Sequence, residues 1–152
     1  MIDPEMTNLD EIITAVIQGV VPMAEIADFF DRSFSELATV LAAHGVAPTG
    51  PAFARYARPP GTTADLEVGF PVHEPVRPEG HVQPGSLQAG RAARLVHAGG
   101  YDQLGESWAR LGTWIAEQNL TPGSAWWEVY VTEPNSDMDA ADLRTELIWP
   151  VG

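Results

Sequence analysis

Phe34, Leu37 and Leu41 recur as Trp108, Leu111 and Ile115 after a shift of 74 residues. The same shift pairs Asp28 with Asp102, Pro48 with Pro122, Phe53 with Trp127 and Tyr56 with Tyr130. Further on the shift becomes 79, because one hairpin loop is five residues longer in the second half. Glu67 then meets Glu146, and Phe70–Pro71–Val72 meets Trp149–Pro150–Val151. Any one match arises by chance. Order and register kept together point to two copies of one unit.

Each copy reads strand–helix–strand–strand. In the first, a strand over 11–21 precedes a helix over 23–44, where Ile26, Phe29, Phe30, Phe34, Leu37, Val40 and Leu41 recur at three- and four-residue steps. Gly45 is a suitable helix stop. Strands over 51–58 and 64–72 then form a hairpin around "PGTT". In the second copy the strand is 89–98, the helix 101–118 and the hairpin strands 124–133 and 143–150. The chain is thus predicted to be one domain, 1–152, with a first repeat over about 10–73 and a second over about 90–152. The Pro- and Gly-rich stretch 73–90 reads as the linker. The fold class is α+β: a mostly antiparallel sheet, joined edge to edge between the repeats. Two helices are expected on one face and a ligand cleft on the other, since ligand sites favour seams.

Composition narrows the partners. Twenty-one acidic residues against 8 basic give a net charge of −13, which disfavours nucleic acid, where binding depends on neutralising phosphates. Cysteine is absent, which excludes disulfides and thiolate metal sites. The four histidines show no metal-ligand spacing, and no cofactor motif is present, "GYDQLG" fitting neither the dinucleotide nor the Walker pattern. No apolar run is long enough to span a membrane, and "MIDPEMTNLDE" lacks signal-peptide features, so a cytoplasmic location is expected.

Against that background one residue stands out. "WWEVYV" is a strand by its aromatic and β-branched content, yet it carries Glu128 at its centre. Alternation puts Trp126, Glu128 and Tyr130 on one face and Trp127, Val129 and Val131 on the other. The second set is uniformly apolar and is expected under the helices, which leaves Glu128 pointing into the cleft with Tyr56 as the counterpart of Tyr130. A carboxylate among rings has its charged form disfavoured, and a ligand cation relieves that cost. The competing reading is an edge ion pair with Arg55 or Arg144. Glu146 and Glu67, matched by the repeat, suit a hydrogen-bonding role near the seam. His97 and His44, at element ends, are expected to be solvated or to cap.

These motifs together resemble the GyrI-like small-molecule-binding family, which includes effector-binding domains of AraC-type and multidrug-responsive transcription regulators. The residues that carry the likeness are Gly99–Gly100–Tyr101, Trp114–Ile115, Trp127–Glu128–Val129–Tyr130 and Thr145 through Val151. The likeness spans residues 10 to 152. It implies a duplicated βαββ fold, a pocket for hydrophobic and often cationic compounds, and a ligand contact at Glu128. No helix-turn-helix is expected ahead of the first strand, unlike in the regulator members. The expected ligand-binding set is Glu128, Trp126, Tyr130, Tyr56, Glu146 and His97, with no metal and no cofactor. The expected function is binding of hydrophobic, cationic aromatic compounds for sensing or sequestration, by a chain adequate as a monomer. The alternative is a hydrolase of reactive electrophiles such as cyclopropane-containing genotoxins, with Glu128 as general base and Tyr130 or Tyr56 as proton donor.

Overall fold

A computed structural model describes residues 3–58, 60–100, 103–131 and 143–152. Eight strands form one curled antiparallel sheet in the order β1-β6-β8-β7-β3-β4-β2-β5. In chain order they are β1 (Glu5–Leu9), β2 (Ile12–Pro22), β3 (Phe53–Tyr56), β4 (Thr63–Pro71), β5 (Gln83–Leu87), β6 (Gly90–Ala98), β7 (Trp126–Tyr130) and β8 (Arg144–Pro150). Helix α1 (Ile26–Ala43) follows a short 3-10 turn over Met23–Glu25, and α2 is Leu104–Glu117. The predicted helix start at 101–102 and the predicted strand end at 132–133 lie outside the described residues, as does Tyr101. Among the described residues no helix is long and apolar enough to cross a membrane.

Both helices stop in the same way. After α1, the Val46 amide bonds Leu41 O at 2.9 Å and the Gly45 amide bonds Ala42 O at 3.2 Å, with Gly45 at φ +67°. After α2, Leu120 bonds Ile115 O and Asn119 bonds Ala116 O, with Asn119 at φ 59°. This is the left-handed helix stop that glycine or asparagine permits, closed by an apolar residue that packs back on the core. The hairpins match as well. Ala54 pairs with Val68 and Tyr56 with Leu66 on β3–β4, while Glu128 pairs with Leu147 and Tyr130 with Thr145 on β7–β8. These are the pairs that shifts of 74 and 79 residues relate.

The halves meet at the β3–β7 ladder, where Ala54 lies across from Glu128 and Tyr56 from Trp126. Paired residues share a face, so Ile17, Val68, Ala54, Glu128, Leu147 and Leu95 form one row across six strands. Helix α1 packs on this face through Phe29, Leu37, Val40 and Leu41, and α2 through Trp108, Leu111 and Ile115. Both helices therefore lie on one face, as the periodicity requires.

Two expectations need correction. Trp127 and Val129 do not lie under the helices. They belong to the other face, where the sheet curls on itself and buries Val16, Phe53, Leu87, Ala92, Trp127 and Ile148 together. The face bearing Glu128 is the helix face, so the cavity described below opens beside the helices and not behind the sheet. The stretch 73–90 is also more than a linker: β5 pairs along β2, from Ile12–Leu87 to Val16–Gln83. Its sequence, QPGSL, hides the strand, because Pro and Gly are tolerated at a sheet edge. Strand β1 lies ahead of the first predicted element and forms the opposite edge on β6.

The β2–β4 contact tolerates no side chain at Gly69. A Cβ there would strike Ala15 O and come within 2.9 Å of a Val16 methyl group. Gly69→Ala is expected to destabilise the fold by about 1–3 kcal/mol through overpacking. Gly61→Ala, with nothing within 4 Å, should cost far less. Urea unfolding of the two variants checks the difference.

Candidate functional site

Between the two helices the sheet face is uncovered, leaving an open cavity of about 1300 Å³. Its α1 wall carries Ile26, Phe30 and Phe34, its α2 wall Leu104, Gly105 and Trp108, and its floor Tyr56, Trp126, Glu128 and Tyr130. The lining contains no basic residue among those described.

Aromatic rings form two groups. Trp108 stacks on Trp126 with centroids 4.2 Å apart and planes within 15°, and Trp149 meets both edge-on. On the other side Phe30 lies 6.4 Å from Tyr130 and 6.1 Å from Phe34, which meets Phe70 edge-on at 5.6 Å. Offset and edge-on arrangements are those that ring quadrupoles favour. Indole N–H groups fix two of the tryptophans: Trp149 donates to Gly123 O at 2.9 Å, and Trp108 donates to Glu128 Oε1 at 3.0 Å.

Glu128 lies between the groups and is only 7% exposed. Its second oxygen, Oε2, accepts from the Tyr130 hydroxyl at 2.9 Å. Both partners are neutral. Burial raises the Glu128 pKa above the usual 4.5, and the bonds from Trp108 and Tyr130 offset this only in part. Burial also pushes the Tyr56 hydroxyl up, with the Glu128 charge adding to the effect. Arg55 and Arg144 alternate onto the other face, so Glu128 is no edge ion pair with them.

Of the six expected site residues, the fold brings four together: Glu128, Trp126, Tyr130 and Tyr56 all line the cavity. Glu146 sits on the opposite face, where its Oε2 accepts from Arg94 Nη2 at 2.9 Å, and Arg94 also reaches Glu5 at 2.8 Å. Glu67, its counterpart, accepts from Gln18 Nε2 at 3.2 Å. His97 is on the helix face but does not line the cavity. It is 5% exposed, not solvated, with Nδ1 2.6 Å from Ser107 Oγ and Nε2 2.9 Å from Gly100 O. Since a carbonyl only accepts, Nε2 carries the hydrogen, and the ring ties the entry of α2 to β6. His44 bonds Glu79 at 3.4 Å and His81 bonds Glu36 at 2.9 Å, both on the outer side of α1. Sequence reasoning missed the helix wall of the site, Phe30, Phe34, Leu104 and Trp108, because their periodicity marks them as core, and they serve both purposes.

Solved structures share this fold. The C-terminal domain of EcmrR superposes with a TM-score of 0.87 at 20% identity, covering 100% of this chain and 98% of that one. In the EcmrR–DNA complex the score is 0.86, and this chain spans only 57% of the EcmrR chain. SAV2435, solved bound to tetraphenylphosphonium, gives 0.68 at 13% identity over 99% of this chain and 94% of its own. A hydrolase from Listeria innocua gives 0.67 at 13% identity over 98% of this chain and 91% of its own. No curated protein matches by sequence. The profile of the GyrI-like small molecule binding domain matches residues 2–152, and the chain belongs to that family.

Proposed function

We propose that this protein binds hydrophobic aromatic cations in the cavity between its two helices, for sensing or sequestration. One observation carries the reading: a buried carboxylate with two neutral partners on the floor of an aromatic cavity that has no basic residue in its described lining. An entering cation supplies the positive charge that the fold withholds, and each ring face adds roughly 0.5–2 kcal/mol of cation–π attraction. The tetraphenylphosphonium held by SAV2435 has this chemistry and supports the choice of ligand class. The matched hairpin registers and helix stops support two repeats of one unit, with the ligand at their seam. A pocket complete within one chain makes a monomer sufficient. The net charge of −13 supports a small-molecule role without nucleic acid, and a cytoplasmic setting suits that role.

The hydrolytic reading shares the same carboxylate, so a single variant separates the two. Tetraphenylphosphonium is expected to bind more tightly than triphenylphosphine oxide, a neutral compound with similar rings. Glu128→Gln should weaken the cation by about tenfold to a hundredfold, the range for a hydrogen-bonded or paired charge, and leave the neutral compound nearly unchanged. Tryptophan fluorescence titration reads both, and equal losses for the two ligands would remove the electrostatic basis. A hydrolase would instead show product formation from a strained-ring electrophile, with turnover falling by roughly 10²–10⁴ in the variant.

The raised pKa sets the pH dependence. Folded Glu128 holds its proton more tightly than unfolded Glu128, so the folded state binds more protons between 4.5 and the folded pKa. Stability from this group is greatest below that window and falls as pH rises through it, with a limiting slope of about 1.4 kcal/mol per pH unit. Cation affinity runs the other way, because the charged form binds: it should rise with pH through the window and level off above it. The Tyr56 hydroxyl, pushed up by burial, stays neutral across this range. Unfolding and binding measured against pH, with Glu128→Gln as the reference, isolate the contribution. A variant whose two profiles parallel those of the parent would refute it.

A further inference from the structure

The cavity has a second carboxylate, and only one wall carries it. Asp31 lines the α1 side, exposed, and makes no hydrogen bond or ion pair among the described residues. On the α2 wall the residue 74 positions on is Gly105, where a Cβ would meet nothing within 4 Å. The walls match in apolar bulk at Phe30 with Leu104 and Phe34 with Trp108, and differ in charge at this level. The way inward from Asp31 is aromatic. Its neighbour Phe30 lies 6.4 Å from the Tyr130 ring, and the Tyr130 hydroxyl holds Glu128 Oε2. One carboxylate is buried and one exposed, and both line the same cavity. The cavity volume of about 1300 Å³ exceeds the roughly 300–1,000 Å³ typical of small-molecule sites, leaving room beyond one compact cation.

We infer that Asp31 receives a second positive charge, and that the site favours elongated bis-cationic aromatic compounds over mono-cations. One cationic head sits against Glu128 among the rings, and the other reaches Asp31 on the α1 wall. This rests on the reading that Glu128 receives the first cation. Linking the two heads makes the second contact intramolecular, so it adds affinity without a second association cost. Asp31 is solvated, so its contribution is modest and weakens with salt.

The test uses the full chain with dequalinium, which joins two aminoquinaldinium heads by an alkyl chain, and with the mono-cation that keeps one head and the same chain. At low salt dequalinium is expected to bind about twofold to fivefold more tightly than the mono-cation. Asp31→Asn should abolish that gain, read as the ratio of the dequalinium and mono-cation affinities. Asp28→Asn, on the same helix but outside the cavity lining, removes the same charge and should preserve the gain. The inference is overturned if dequalinium shows no advantage, if the advantage survives Asp31→Asn, or if Asp28→Asn reduces it equally, which would trace it to the net charge. A mono-cation that fails to bind the unaltered protein would instead bring down the reading of Glu128 as a cation receptor, and this inference with it.

Discussion

A single carboxylate on the seam strand joins the parts of this molecule that make a receptor. Glu128 occupies an otherwise apolar row that crosses six strands from Ile17 to Leu95. Its Oε1 accepts a hydrogen bond from the Trp108 indole N–H, which is how α2 is tied to a strand at the centre of the sheet. Its Oε2 takes the hydroxyl of Tyr130, whose ring meets Phe30 of α1. The carboxylate thus reaches both helices, one directly and one through a ring. An apolar residue in its place would leave the buried Trp108 indole N–H without this acceptor, and an unsatisfied buried donor costs about 1–3 kcal/mol.

That arrangement is possible because the sheet does not rely on the helices for all of its burial. Curling lets Val16, Phe53, Trp127 and Ile148 bury one another on the face away from the helices, each such side chain contributing roughly 1.5–3 kcal/mol. With a second core inside the curl, the helices are free to stand apart over the ends of the row. The middle, at the β3–β7 seam, stays open. Charge at the rim of the inner core is handled by pairing, Arg94 between Glu5 and Glu146 and Glu67 with Gln18, which leaves the helix face to Glu128.

Much of this was legible in the residues. Spacing gave both helices and their common face, and alternation gave the grouping of Trp126, Glu128 and Tyr130. The offset of 74 residues relates Ala54 to Glu128, and the seam ladder pairs the two. What sequence could not decide was which face of β7 the helices cover. Both faces are aromatic or aliphatic, and counting apolar residues favoured Trp127 and Val129, since nothing in a strand's own pattern reports that a sheet will curl and bury a face by itself. Strands β1 and β5 were hidden for a different reason: EMTNL and QPGSL are sheet edges and lack the run of β-branched and aromatic residues that marks a central strand. His97 looked solvated because it ends a strand, and its burial comes from Ser107 and Gly100, partners contributed by the following loop and helix.

The free protein carries the cost on which the proposed selectivity rests. Holding a carboxylate away from water with only neutral donors penalises the charged state, and the folded chain bears that penalty whenever the pH keeps Glu128 ionised. Trp108, Trp126 and Trp149 are meanwhile packed against one another before any ligand arrives, with two of their three indole N–H groups already bonded. Little ordering then remains to be done on binding, so less of the contact energy is lost to it. A neutral aromatic compound gains from the rings alone. On the proposed reading a cation gains from the rings and also relieves the charge, and that difference grows with the depth at which the carboxylate is buried. On the proposed reading, selectivity for charge is therefore set by how thoroughly Trp108 and Tyr130 shield Glu128 from water, and not by the number of acids on the surface.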